Sequence, residues 1–369
     1  MTAFVVFFGR AGDSALERRL DAFRIAIAAG LLERAGSAGF TPLLAVTADA
    51  EAATAFMSAG AGVEAAEAHP FHLGAELARL VRRHGCDRVC VVGAGAGALL
   101  AVADLAEIRR DLEEADHLVL SNNYYSADLV AFGPAAALDA ITLPATDNPL
   151  PRLLHQQAGL PSRQLPRSAA TLLDVDTPAD ATVLVRHPLC PAELRGLGSW
   201  DVELGPRIDA LMGLITTPDQ ELLVAGRVGA PVWTFLESQT ACRVRMLAEE
   251  RGMQAAGRDA AGLARTALGF LYATTTPEGF FACLRELGDG MLFDSRVLFA
   301  HLRWRPDPAE RFASDLFDTG AIRDADLRAF TAAARDAEMP VLLGGHTLVS
   351  GVLWTMVEAA WSGHPEPVG

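Results

Sequence analysis

The chain has 369 residues, 51% of them apolar, and a formal net charge of −15. That is enough apolar material for one large or two ordinary domains. The acidic balance disfavours a nucleic-acid partner, whose phosphates call for a basic face. No lysine occurs and all 31 basic residues are arginine, which excludes lysine Schiff bases and a phosphate-gripping lysine.

No uncharged apolar run reaches the 18 residues of a membrane span, so no membrane contact is expected. The opening "MTAFVVFFGRAGD" lacks a basic n-region and reads as a first strand rather than a signal peptide, with a cytoplasmic location as the expectation. The five cysteines, Cys86, Cys90, Cys190, Cys242 and Cys283, are scattered, odd in number and form no CxxC pair. Burial suits them better than disulfides or structural zinc.

In chain order, "AFVVFF" is a continuous apolar run, the mark of a strand buried on both faces. A long helical stretch follows from about Ser14 to Arg34. "TPLLAVTAD" reads as a second strand, with a helix starting at Asp49. "FHLGAELARLVRRHG" reads as an amphipathic helix stopping at Gly85. "DRVCVVGAG" is a further buried strand and "LLAVADLAEIRRDLEEA" a helix. "HLVLS" and "ADLVAF" are strands around the polar turn "NNYYS". "NPLPRLLHQQAG" is a short helix, and "TLLDVD" is expected as a closing strand. Strands alternating with helices imply a mostly parallel sheet covered on both faces.

The stretch 186–201, with two prolines and two glycines, suits a linker and divides the chain into domains 1–187 and 188–369. Beyond it "VWTFLESQTACRVRMLAEERGM", "AGLARTALGFLYA", "PEGFFACLRELG", "DADLRAFTAAARDA" and "LVSGVLWTMVEAAW" read as helices. Only "RVLFAHLRW" and "MPVLLGG" read as strands. The second domain is therefore expected to be mainly helical.

The segment "LLDVDTPAD" carries the most specific signal. Residues two apart on a strand share a face, so Asp174 and Asp176 would point together at the strand's carboxyl end, where open α/β sheets bind ligands. Thr177 can cap the next helix, Pro178 suits its first turn and Asp180 complements its dipole. From the residues alone, the two acids either gather a cation such as Mg²⁺ together with substrate phosphates, or merely cap a strand–helix junction.

"LLDVDTPADATVL" resembles the closing motif of small nucleotidyltransferases of the glycosyltransferase-A-like fold, most of all the molybdenum-cofactor and phospholactate guanylyltransferases. The resemblance covers residues 1–187. It implies a nucleotide-diphospho-sugar-transferase-like α/β domain, with Asp174 and Asp176 as metal and phosphate ligands for Mg²⁺. Two departures stand out. The first loop, "GRAGDSALERRL", offers Arg10, Gly12, Arg18 and Arg19 but no lysine, and Gly95 stands where the family's central loop carries an aspartate.

"GAGAGA" has a reading of its own. Gly93, Gly95 and Gly97 follow a buried strand, so the backbone there either approaches a phosphate or packs tightly against a helix. Asn122 and Asn123, beside Tyr124 and Tyr125, offer amide groups and aromatic faces to a base or sugar, or simply make a turn. In the second domain, His346 and Thr347 in "LLGGHTLVSGVLW" sit at an expected helix start. His346 is either a general acid or base or a structural residue of the turn. Arg243, Glu250 and Arg251 are expected on one helical face. With Asp294, Arg296, His301, Arg303 and Arg311 they form either an arginine-lined pocket for a phosphate or carboxylate, or solvated ion pairs.

The expected function is Mg²⁺-dependent transfer of a nucleotidyl group from an NTP to a small phosphate- or carboxylate-bearing acceptor. Asp174, Asp176 and His346 are its catalytic candidates. Arg10, Gly12, Gly93, Gly95, Gly97, Asn122 and Asn123 are the nucleotide-binding ones. The alternatives are a non-catalytic nucleotide- or metabolite-binding protein on the same scaffold, or another activity centred on His346 and the arginines. Expected partners are a nucleotide and a small anionic metabolite, with self-association into a homo-oligomer left open.

Overall fold

Apolar runs without alternation become the central strands. In the computed structural model, which describes residues 1–197 and 200–362, β1 (Thr2–Phe7) is buried along its whole length. Phe4 and Val6 enter one apolar cluster and Ala3, Val5 and Phe7 another, so both faces of the strand are covered. Each buried Phe or Val side chain contributes about 1.5–3 kcal/mol relative to exposure.

The remaining strands of this sheet are β2 (Leu43–Val46), β3 (Gly62–Glu64), β4 (Arg88–Gly93), β5 (Leu118–Ser121), β6 (Leu129–Gly133) and β7 (Ser162–Gln164). Their order is β3-β2-β1-β4-β6-β5-β7. All neighbours run parallel except those of β6, which is antiparallel to both β4 and β5. The helix Leu73–His84 ends at Gly85 as the sequence led one to expect.

The closing segment differs from expectation. Ala169–Leu172 is a one-turn helix, started where the Ser168 amide donates to the Thr171 hydroxyl at 3.1 Å. Of the expected strand, only Asp174 pairs, in an isolated antiparallel bridge to Ala96. The alternation survives nonetheless. Leu173 and Val175 are buried, Asp174 is half-buried and Asp176 is exposed.

By internal contacts the chain forms two compact units, one of Met1–Arg10 with Asp21–Asp174, the other of Ala11–Leu20 with Val175–Gly369. The second unit is mainly helical and is built on a four-stranded sheet in the order β11-β10-β8-β9. Its strands are β8 (Glu221–Gly226), β9 (Arg243–Ala248), β10 (Gly290–Asp294) and β11 (Val341–Gly344), all parallel.

Three readings of this unit are corrected. "ELLVAG", unassigned from the sequence, is β8. "RVLFAHL" lies in the helix Ser295–Leu302, because the strand is the apolar run just before it. The long run from Val232 is a helix, Ala230–Gln239, followed by β9, whose burial alternates over Arg243–Met246 and which pairs with β8. Arg243 therefore sits on a strand and shares no helical face with Glu250 and Arg251. Residues 198 and 199 of the expected linker lie outside the described residues.

Gly226 ends β8 with φ +131, and a Cβ there would lie 2.3 Å from the Asp294 Cβ. Both the dihedral and the contact exclude a side chain. Gly226→Ala should lower stability by about 2 kcal/mol or more, read by urea denaturation.

Candidate functional site

In the first unit the parallel strands end on one edge, and polar residues collect there. Past β1, the Arg10 Nε lies 3.6 Å from Asp49 Oδ2. Asp49 also caps the helix Ala50–Ser58 through Oδ1, which accepts from the Ala52 amide at 2.9 Å. Past β4 comes the glycine loop. At Gly93 a Cβ would meet nothing within 4 Å, so ligand atoms have room beside this backbone. A cavity of about 20 Å³, room for roughly one water, adjoins Gly93, with Phe7, Asp128 and Asp147 among its lining residues. The bridge from Ala96 to Asp174 sets the first acid of the Asp-Val-Asp motif against this loop.

Asn122 is buried and makes the turn between β5 and β6. Its Oδ1 accepts from the Asp128 and Leu129 amides at 3.1 and 3.3 Å, and its Nδ2 donates to Asp128 Oδ2 at 3.3 Å. Asn123 Oδ1 accepts from the Tyr125 amide at 3.1 Å. The bonds recorded for these two side chains are thus turn bonds. Tyr125 is exposed, and its ring meets Tyr124 edge-on with centroids 4.8 Å apart.

Gly12 and Asp176 belong to the second unit. A buried glutamate closes on Gly12. A Cβ there would overlap the Glu17 carboxylate, whose Oε2 accepts from the Ser14 amide at 3.0 Å while the Ser14 hydroxyl accepts from the Glu17 amide at 3.1 Å. This reciprocal cap places a negative charge at the amino end of the helix Ala15–Ser37.

Asp180 proves more central than a dipole-complementing residue. It is fully buried, and its Oδ2 accepts from the amides of Asp176 and Thr177 at 3.0 and 2.8 Å and from the Thr347 hydroxyl at 2.8 Å. Its Oδ1 is buried with no hydrogen-bond partner among the described residues. Burial pushes this carboxyl up to about 7, the Asp176 charge adds to the rise, and the three donors oppose it. Thr347 opens a short 3₁₀ turn after β11, directly after His346. The His346 imidazole makes no hydrogen bond among the described residues. Burial lowers its pKa, Arg227 and Arg251 push the same way, and Asp294 and Asp176 act against them.

The expected arginine pocket takes a different form. Arg227 and Asp294 are a buried bidentate pair, Nε to Oδ2 at 2.6 Å and Nη2 to Oδ1 at 3.0 Å. Arg296 grips the buried Asp315 the same way, at 2.8 and 2.5 Å. His301 is engaged with the amide of Thr266, which donates to its Nδ1 at 3.0 Å, and Arg303 ends its helix in a left-handed conformation. Sequence reasoning missed Arg227, Glu17 and Gly229. The one available signal was the Gly-Ala-Pro after "AGRV", a helix start directly behind a strand.

Among the described residues no three ligand-type side chains gather as a metal cluster. The donors at hand are carboxylate oxygens. Asp176 is exposed and makes no hydrogen bond or ion pair through its side chain among the described residues. A hard cation that keeps most of its waters and takes one or two carboxylates fits this set.

Solved structures similar to this chain include a protein described as a nucleotide-diphospho-sugar transferase from Desulfovibrio desulfuricans G20. It is 17% identical, with 55% of this chain and 96% of that one covered, at a TM-score of 0.42. A cytidylyltransferase from Leptospira borgpetersenii serovar Hardjo-bovis is 14% identical over 50% of this chain and 83% of that one, TM-score 0.38. A CMP:2-keto-3-deoxy-manno-octonic acid synthetase solved with CTP is 16% identical over 48% and 95%, TM-score 0.35. The likeness is one of fold, over about half the chain, and the C-terminal part is unmatched. No protein-family model and no curated protein matches the sequence. Among the described residues no helix is long and apolar enough to cross a membrane.

The folded chain holds the Asp180 proton more tightly than the unfolded chain does. Its contribution to stability is therefore present at acid pH and is lost as the pH rises through about 7. Urea denaturation should show a decline between about pH 4 and 7 that Asp180→Asn flattens. An identical slope in the variant contradicts the assignment.

Proposed function

We propose that the protein is a nucleotidyltransferase-like enzyme. It would transfer a nucleotidyl group from an NTP to a small phosphate- or carboxylate-bearing acceptor. The observation that carries this reading is the bridge between Ala96 and Asp174, which sets an acidic motif residue against a glycine loop at the carboxyl edge of a mostly parallel sheet. Polyanionic ligands bind at such edges.

In this reading the backbone at Gly93 approaches the nucleotide, while Gly95 is buried and Gly97 packs against Leu31 and Leu100, and Arg10 steadies the phosphates in place of the missing lysine. Asp174 and Asp176 would hold Mg²⁺, which when bound neutralises charge on the phosphoryl oxygens. The Asp176 charge favours the protonated His346, so Asp176→Asn should lower the His346 pKa further.

A second reading is favoured by a specific observation. The Glu17 carboxylate occupies the space over Gly12, where the resemblance leads one to expect phosphates, and Gly95 removes one carboxylate of the family pattern. Both point to nucleotide binding without transfer.

Pyrophosphate release separates the two. The protein would be supplied with Mg²⁺, each of the common NTPs and a panel of small phosphate and carboxylate acceptors. Release should occur with one nucleotide and fall about 100-fold in Asp174→Asn or Asp176→Asn. Nucleotide binding by calorimetry without any release, unchanged by Asp176→Asn, establishes the second reading instead.

A further inference from the structure

Several polar groups without partners among the described residues gather at the carboxyl edge of the second unit's sheet. In the order β11-β10-β8-β9 the succession of parallel strands reverses between β8 and β10. By the right-handed crossover rule the connections after these two strands leave toward opposite faces, and open α/β sheets bind ligands at the carboxyl ends of such strands.

At the end of β8 the chain runs Gly226-Arg227-Val228-Gly229-Ala230-Pro231, and Gly229 is the N-cap of the helix Ala230–Gln239 with no side-chain cap. The amides of Gly229 and Ala230 have no hydrogen-bond partner among the described residues, and Pro231 has none to offer. The guanidinium of Arg251 lies over this end of the helix. Its Cζ and Nη1 are 3.4 and 3.5 Å from where a Gly229 Cβ would be, and it makes no hydrogen bond or ion pair among the described residues.

Arg227 uses Nε and Nη2 on Asp294, leaving Nη1 without a partner among the described residues. His346 is half-buried, feels both Arg227 and Arg251, and is likewise without a hydrogen bond through its ring among the described residues. Behind it Thr347 binds Asp180, whose second oxygen is buried and unsatisfied. Two negative charges face this group. Asp294 is already neutralised by Arg227, and Asp176 is exposed. A planar carboxylate is satisfied by one guanidinium fork, whereas an amide pair, two guanidiniums and an imidazole offer enough donors for a tetrahedral dianion.

We propose that this crevice binds the phosphoryl group of a small phosphomonoester through the amides of Gly229 and Ala230, Arg251, the Nη1 of Arg227 and His346. All of these groups belong to the second unit, and Asp176, the proposed Mg²⁺ ligand, acts on the same histidine.

Calorimetric titration of the full chain with inorganic phosphate, glycerol 3-phosphate and acetate at matched ionic strength tests it. Both phosphates should bind saturably and acetate should not. Arg251→Gln, an exposed change, should weaken phosphate binding about tenfold or more with an unchanged melting curve. Gly229→Asp sets a carboxylate where the anion would sit and should abolish binding. Absence of saturable phosphate binding, equal binding of acetate, or an Arg251→Gln variant as tight as the wild type overturns the site.

Discussion

The constraint on which the rest of the structure depends is burial of both faces of two sheets, one mostly and one wholly parallel. β1, β6, β10 and β11 are buried along their entire length, and β8 along all but its first residue. Helices occupy the faces, so a polar group that must meet solvent or a ligand is left the strand ends. The amino ends are taken by turns and caps. The carboxyl ends carry Arg10, Asp49 and Gly93 in one unit and Arg227, Asp294 and His346 in the other.

Arginine shapes both edges. With no lysine in the chain, every buried cation is a planar fork, and the two buried pairs of the second unit are bidentate. Such pairs offset the desolvation of their own charges only when the geometry is this good, and removing one partner strands the other. Gly226 permits the first pair by letting Asp294 close on the end of β8. Asp180 does comparable work for the loop after β11. One oxygen collects three donors from Asp176, Thr177 and Thr347, and the other stays unsatisfied in the interior.

Much of the first unit was legible because its signals are local. "AFVVFF" and "DRVCVV" are uninterrupted apolar runs, and "TPAD" announces a cap, a first-turn proline and an N3 acid. The closing strand was not legible. Its alternating burial is real, but Asp174 joins no strand and makes an isolated bridge to Ala96, which sequence spacing cannot reveal. The second unit misled for a different reason. A helix and a strand adjoin between Val232 and Ala248, and their apolar residues merge into one apparent helical period. β8 and β10 are short buried runs, and periodicity does not separate such strands from helix. Arg251 was singled out for a helical face, yet its placement over Gly229 comes from the turn after β9. Asp180 read only as a complement to its helix dipole, because nothing in "TPAD" tells that its helix is buried on all sides.

Hydrogen–deuterium exchange of the full chain, alone and with Mg²⁺ and a nucleoside triphosphate, tests most directly whether chemistry is confined to the carboxyl edges. The account predicts slowed exchange in residues 8–10 and 93–97 and around Asp174, with the sheet interiors and amino-terminal edges unchanged. Protection centred on helix faces or on the amino-terminal turns, with those segments unaffected, would contradict it.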